Sequence, residues 1–180
     1  AFIEQPVRRD HALQHDIGPL QLPWPVIIDE SDYELNSFVQ ARLMGYRGVS
    51  SKACKGLYKS MINAARCQHW NSNQSGPAYF MTGEDLTTQA GLGVQQDLAL
   101  VNLLGLTHVE RNGHHYVNGM AALPSTEQNQ FLHAHPGLYE HSHGATRLRV
   151  HQGSINLASL ACTGFASACK PAIEHLFQMK

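Results

Sequence analysis

A surplus of either charge is the first thing missing: 13 Lys and Arg stand against 14 Asp and Glu, for a formal net charge of −1. Without a basic excess the chain lacks the electrostatic support that phosphate-backbone binding uses, and nucleic acid is not an expected partner. No apolar run approaches the ~20 residues of a membrane span, and no basic segment leading into a long apolar stretch opens the chain. No membrane partner is expected, and the reading is a soluble, cytoplasmic protein. The four cysteines, Cys54, Cys67, Cys162 and Cys169, lack the close paired spacing of a zinc knuckle, and a chain of this size needs no disulfide staples, so free thiols are expected. An initiator methionine is missing as well. Ala1 opens inside a strand-like run, from which the chain is expected to be a piece of a longer one.

What is present is a globular composition, 43% hydrophobic and 15% charged, enough for one domain or slightly more. Five apolar runs close on a carboxylate or a lysine: Ala1–Glu4, Val26–Glu30, Gly48–Lys52, Ala78–Met81 leading to Glu84 and Asp85, and Leu106–Glu110. Glu4 to Asp29 is 25 residues, Asp29 to Lys52 is 23, and Glu84 to Glu110 is 26, the length of a strand-plus-helix unit. Charges are costly inside a sheet but tolerable at strand ends, and the C-terminal strand ends of parallel α/β barrels form the active-site face.

Between the runs, Arg8 to Gln21 reads as a short helix and loop, closed by Pro23 and Pro25. Ser31 and Glu34 fit a capping box ahead of Leu35, Phe38, Val39 and Leu43 at helical spacing, with Gly45 as the C-terminal glycine. Further helices are expected over Leu57–Trp70 and from about Thr88 to Gly105, around an Asn71–Pro77 loop. This order implies a parallel sheet with right-handed crossovers through about residue 110. Beyond it, Thr146–Val150 and Ser154–Ala158 alternate around Gln152-Gly153 and predict an antiparallel hairpin, followed by a terminal helix over Lys170–Met179.

Glu4 and Asp29 at adjacent strand ends suit a hard divalent cation, and a lysine at the next strand end could act as a base. At Ile3-Glu4-Gln5-Pro6, Ile28-Asp29-Glu30-Ser31 and Lys52-Ala53-Cys54-Lys55-Gly56, the chain resembles the second half of an enolase-superfamily barrel, in the mandelate-racemase and muconate-lactonizing branch. The resemblance covers about residues 1–122. It implies strands four to eight of a partial TIM (β/α) barrel, with 123–180 as a hairpin and helix that pack on a capping domain not contained here.

The same resemblance implies that Glu4 and Asp29 bind Mg2+ and that Lys52 is the acid/base toward the carbon beside a substrate carboxylate. Glu110 joins Lys52 as a catalytic candidate, with Glu30, Lys55, Glu84 and Asp85 as secondary ones. It implies an intact enzyme that is a magnesium-dependent lyase or isomerase on a small carboxylate, acid sugars included, and a homo-oligomer. The chain departs from the pattern in having one glycine after Lys55 and no residues ahead of the fourth strand. Five strands cannot close a barrel, so the isolated chain is expected to be inactive.

Blander readings stand beside these. A strand-end carboxylate such as Asp29 serves equally as a helix cap, and Glu84 and Asp85 as caps of the following helix. Glu110 with Arg111 reads as a buried ion pair or a site group. Lys55 reads as a supporting charge. His133, His135, His141 and His143 form two H-x-H pairs that could hold zinc, or are solvent-exposed histidines in a loop. A noncatalytic barrel remnant and a histidine-based metal module are the corresponding alternative functions.

Overall fold

The computed structural model describes residues 1–73, 75–76, 78–85, 90–111, 116–164 and 166–171. Five strands, β1 (Ile3–Glu4), β2 (Val26–Ile28), β3 (Gly48–Ser51), β4 (Phe80–Asp85) and β5 (Val109–Arg111), pair in chain order as one curled parallel sheet, a half-barrel. Glu4 stands opposite Ile27, Ile28 opposite Val49, and Ser50 opposite Thr82. The curl brings Phe2, ahead of β1, edge-on to Phe80 at 5.7 Å and to His108 at 4.9 Å between ring centroids. Residues from both edges of the sheet therefore meet across its concave face. Among the described residues no helix is long and apolar enough to cross a membrane.

Alternation along each strand sorts the two faces. Val26, Ile28 and Val49 join Phe38, Ala41, Tyr46, Cys67 and Tyr79 in one apolar cluster beneath the helices. The alternate residues, Phe2 and Glu4, Ile27 and Asp29, Gly48, Ser50 and Lys52, Phe80, Thr82 and Glu84, and His108 with Glu110, take the concave side. Gly48 is required there, because a Cβ would stand 2.7 Å from both Ile27 Cγ2 and the Phe80 carbonyl oxygen.

Helix α1 (Ser37–Leu43) buries Phe38 and Ala41, three residues apart on one face. It ends as expected at Gly45, whose φ of 89° favours glycine and whose missing Cβ lets the Gly18 nitrogen approach. Its start differs from the expected capping box: Asn36 precedes the helix, and the Ser31 hydroxyl is taken by Gln5 and Arg9 instead. Between Arg8 and Gln21 two 3₁₀ turns, Ala12–Gln14 and Gly18–Leu20, replace the short helix, the second holding Pro19. Helix α2 (Leu57–Ser72) extends two residues past the expected end.

Two compact units interleave in the sequence: Ala1–Glu84 with Leu103–Glu110, and Asp85–Asn102 with Arg111–Lys180. In the second, helix α3 (Leu92–Leu104), apart from its last two residues, and helix α4 (Ser125–Ala134) contribute to a core of Val94, Leu98, Met120, Phe131, Leu138, Tyr139 and Leu148. The expected α3 start at Thr88 lies outside the described residues.

The hairpin forms one turn earlier than its alternation predicts. Strands β6 (Tyr139–Ser142) and β7 (Ala145–Leu148) pair around His143 and Gly144, with φ of 53° and 75°. Two successive positive φ angles match the twist of a tight hairpin. Gln152-Gly153 carries only an isolated bridge between His151 and Ser154. Both dipeptides can turn, and the earlier one wins because it sets Tyr139 opposite Leu148, both in the core. The expected terminal helix falls almost wholly on 172–180, outside the described residues.

Candidate functional site

Each strand of the half-barrel delivers a charged side chain to one end of the concave face. Glu4 ends β1, Asp29 and Lys52 follow β2 and β3 directly, Glu84 sits one residue before the end of β4, and Glu110 lies within β5. Glu4, Asp29 and Glu84 each offer a carboxylate oxygen within 4.8 Å of the other two. Lys52, 4% exposed, bridges two of them: its Nζ is 2.7 Å from Asp29 Oδ2 and 2.5 Å from Glu84 Oε2. Lys55 Nζ donates to Asp29 Oδ1 at 2.7 Å, to the Asp29 carbonyl at 2.7 Å and to the Ser50 carbonyl at 2.8 Å. Both oxygens of Asp29 therefore accept from ammonium groups.

These pairings set the protonation states. Burial pushes the Glu4 carboxyl up to about 7, with added repulsion from Asp29, Glu110 and Glu84 that Lys52 only partly offsets. Burial acts in the same direction on Asp29, but Lys55 and Lys52 outweigh it and hold that carboxyl below its ordinary value. Lys52 shows the converse: burial favours the neutral amine, yet bonds to Asp29 and Glu84 raise its pKa above the ordinary lysine value. Two carboxylates thus hold the Lys52 ammonium. For Lys55 burial prevails over Asp29 and lowers the pKa.

The other candidates divide. Glu110 is exposed rather than a member of a buried pair, and it lines a cavity of about 700 Å3 with Glu4, Phe2, Phe80, Thr82 and His108. Glu30 is also exposed and stands 3.8 Å from Arg9, away from the carboxylate group. Asp85 closes β4, and its side chain lies outside the described residues.

The histidine pairs do not converge. Among the described residues the carboxylate trio is the one group of three or more His, Cys, Asp or Glu with metal-binding spacing. His133, His141 and His143 are exposed, but His135 is fully buried at the end of α4, not in a solvent-exposed loop, and its Nε2 accepts from the Ala168 amide at 3.0 Å.

Glu84, expected at a strand end only as a secondary candidate, is the third member of the carboxylate trio, a place that alternation from Phe80 through Thr82 indicates. Two further features escaped the strand-end pattern. Lys59 reaches from α2 to Asp32 at 3.1 Å, adding a second buried ion pair beside the first. Gln5 ties the loop after β1 to the loop after β2, a contact between residues 24 apart that no local pattern displays.

As a class of donors, three clustered carboxylates suit a hard divalent cation, which prefers anionic oxygen. A lysine held against the same group suits proton transfer once its ammonium is released. Compared with known proteins, the chain matches no protein-family model, no curated protein and no solved structure.

Proposed function

We propose that this half-barrel carries the larger part of a magnesium-dependent lyase or isomerase site of the enolase-superfamily kind. The reaction class is removal of a proton from the carbon beside a carboxylate, in dehydration, racemization, epimerization or cycloisomerization, with acid sugars among the substrates. The observation that carries the reading is the trio Glu4, Asp29 and Glu84 within 4.8 Å, with buried Lys52 bonded to two of its members.

Glu4, Asp29 and Glu84 would hold the cation, which when bound supplies positive charge opposite the negative charge that develops on the substrate carboxylate. Lys52 would exchange the proton at the neighbouring carbon; to act as a base its Nζ must leave Asp29 Oδ2 and Glu84 Oε2 and give up one ammonium proton to solvent. Lys55 stays with Asp29 and keeps that carboxylate ionised. Glu110, which lines the cavity with Glu4, would exchange a second proton with a bound acid.

The chain by itself is inactive on this reading, because five strands leave the cavity beside Glu4 and Glu110 unclosed. The test is exchange of the α-proton of 2-hydroxy carboxylates and aldonates in D2O with Mg2+, followed by NMR. The isolated chain is expected to be silent, and a protein with the barrel completed is expected to exchange, with loss of exchange in Lys52→Ala. Exchange by the isolated chain, or exchange that survives Lys52→Ala, overturns the reading.

A noncatalytic remnant is the second reading, and the lysine bridges favour it. Lys52 and Lys55 together satisfy both Asp29 oxygens, as a purely structural ion-pair network would.

A further inference from the structure

We infer that Gln5 is a positioning residue for the carboxylate trio, acting through Asp29; the inference rests on the cation-binding reading above. Gln5 follows Glu4 directly and has φ of 38°, a left-handed backbone that a non-glycine residue adopts only against steric resistance. A strained residue held at a candidate site calls for an account of what holds it.

Here the side-chain amide does so. Gln5 Oε1 accepts from the Asp29 amide at 2.8 Å and the Ser31 amide at 3.2 Å. Its Nε2 donates to the Val7 carbonyl at 2.7 Å and to Ser31 Oγ at 2.9 Å, so both ends of the amide are in use. Ser31 Oγ in turn donates to the Arg9 carbonyl at 3.0 Å, and the Gln5 backbone amide donates to the Ile27 carbonyl at 3.0 Å.

The consequence is geometric. Glu4 is joined to Gln5 by one peptide bond, and Asp29 hangs from Gln5 by a backbone hydrogen bond. The left-handed turn is what allows one residue to follow Glu4 in the chain and still present its amide to the loop after β2. Lys52 and Lys55 hold the Asp29 carboxylate from β3 and the turn beyond it. Gln5 holds its backbone from the opposite strand. Two of the three cation donors are thus fixed relative to each other by one side chain that donates nothing to the cation. Outer groups of this type typically change metal affinity by about 10–100-fold when removed.

Gln5→Gly separates positioning from structure, because glycine accepts this backbone angle while removing the amide. The full chain and the variant are titrated with Mn2+ by calorimetry, and the Asp29 and Ser31 amides are followed by NMR hydrogen exchange without metal. The expected result has three parts: exchange at both amides rises at least about ten-fold, Mn2+ binding weakens at least about ten-fold, and the thermal midpoint is kept. Gln5→Met, matched in length but without the amide, is measured alongside and has the same expectation if the glycine variant folds poorly.

Released amides with unchanged Mn2+ affinity overturn the positioning role and leave the cation site standing. Amides that stay protected overturn the clamp itself. No Mn2+ binding by the unmodified chain removes the cation site, and the positioning role goes with it.

Discussion

Lys52 in the first unit and His135 in the second are both buried, yet burial has opposite outcomes for them. Lys52 is held charged, its pKa raised by Asp29 and Glu84 against the pull of desolvation. His135 is driven toward the neutral imidazole, its pKa lowered by burial that the nearby Ser159 backbone only partly opposes. Tyr139 follows His135, with its phenol pushed up by burial despite the Gln95 bond at 2.8 Å. The contrast separates a site from a core. Charges kept ionised out of water need partners of opposite sign, and those partners converge on the concave face of the sheet. Cys67 sharpens the point, because it lies in the first unit but under the helices, and burial alone pushes its thiol up to about 12.

The largest expected effect comes from removing the cation at the centre of the contrast. Lys52→Met leaves Asp29 and Glu84 buried with less compensation and should lower the unfolding free energy by about 3–5 kcal/mol, read by urea denaturation. A loss below about 1 kcal/mol would mean that water already screens these carboxylates. Added Mg2+ should recover part of the loss, since a cation restores positive charge to the same oxygens.

Next in size is the pH dependence of cation binding. The metal-free Glu4 carboxyl titrates near 7, above its ordinary value of 4.5, so the folded chain retains that proton through mildly acidic pH. A cation must displace it. Apparent Mg2+ affinity should therefore rise about ten-fold per pH unit below 7 and level off above it. A flat profile between pH 5 and 8, taken calorimetrically, would exclude Glu4 from the donor set.

Tyr139→Phe tests the other side of the comparison. It removes the phenol oxygen that accepts from Gln95 Nε2 and should cost about 1 kcal/mol by the same urea assay, with cation binding untouched. A change in Mg2+ affinity would contradict the separation of the Tyr139 core from the carboxylate trio.

The smallest effect near neutral pH, absent until the solution turns alkaline, concerns Cys67. Its thiol pKa is above the unfolded value of 9.0, so the folded chain holds the proton more tightly. Stability should be insensitive to this group below pH 9 and decline as pH rises from 9 toward 12. Cys67→Ala should flatten that decline. An equal decline in the variant would assign it to other groups.

Much of the first unit is legible in the order of residues, and the reason is repetition. Glu4, Asp29 and Lys52, and then Glu84 and Glu110, recur at the spacing of one strand plus one crossover, and parallel pairing in chain order brings their ends to one side. Gly45 is legible because a left-handed C-terminal residue leaves a chemical signature in glycine.

What escaped depends on partners distant in sequence. Gln5 looks like any polar residue after a strand until Asp29 and Ser31 arrive beside it. Ser31 looks like a helix cap until its hydroxyl is claimed by Gln5 and Arg9. The hairpin was offered two turns of equal local merit, His143-Gly144 and Gln152-Gly153, and only the burial of Tyr139 and Leu148 decides between them. His135 belongs to a polar, histidine-rich stretch, and its burial follows from packing at the end of α4, which composition does not reveal.

The central claim is that Glu4, Asp29 and Glu84 act together on one cation, and calorimetric titration with Mg2+ at about pH 8 tests it, above the Glu4 value of about 7. The account predicts a single site in the unmodified chain and at least about ten-fold weaker binding in Glu84→Gln. Equal affinity in the two proteins, or no binding in the unmodified chain, would contradict it.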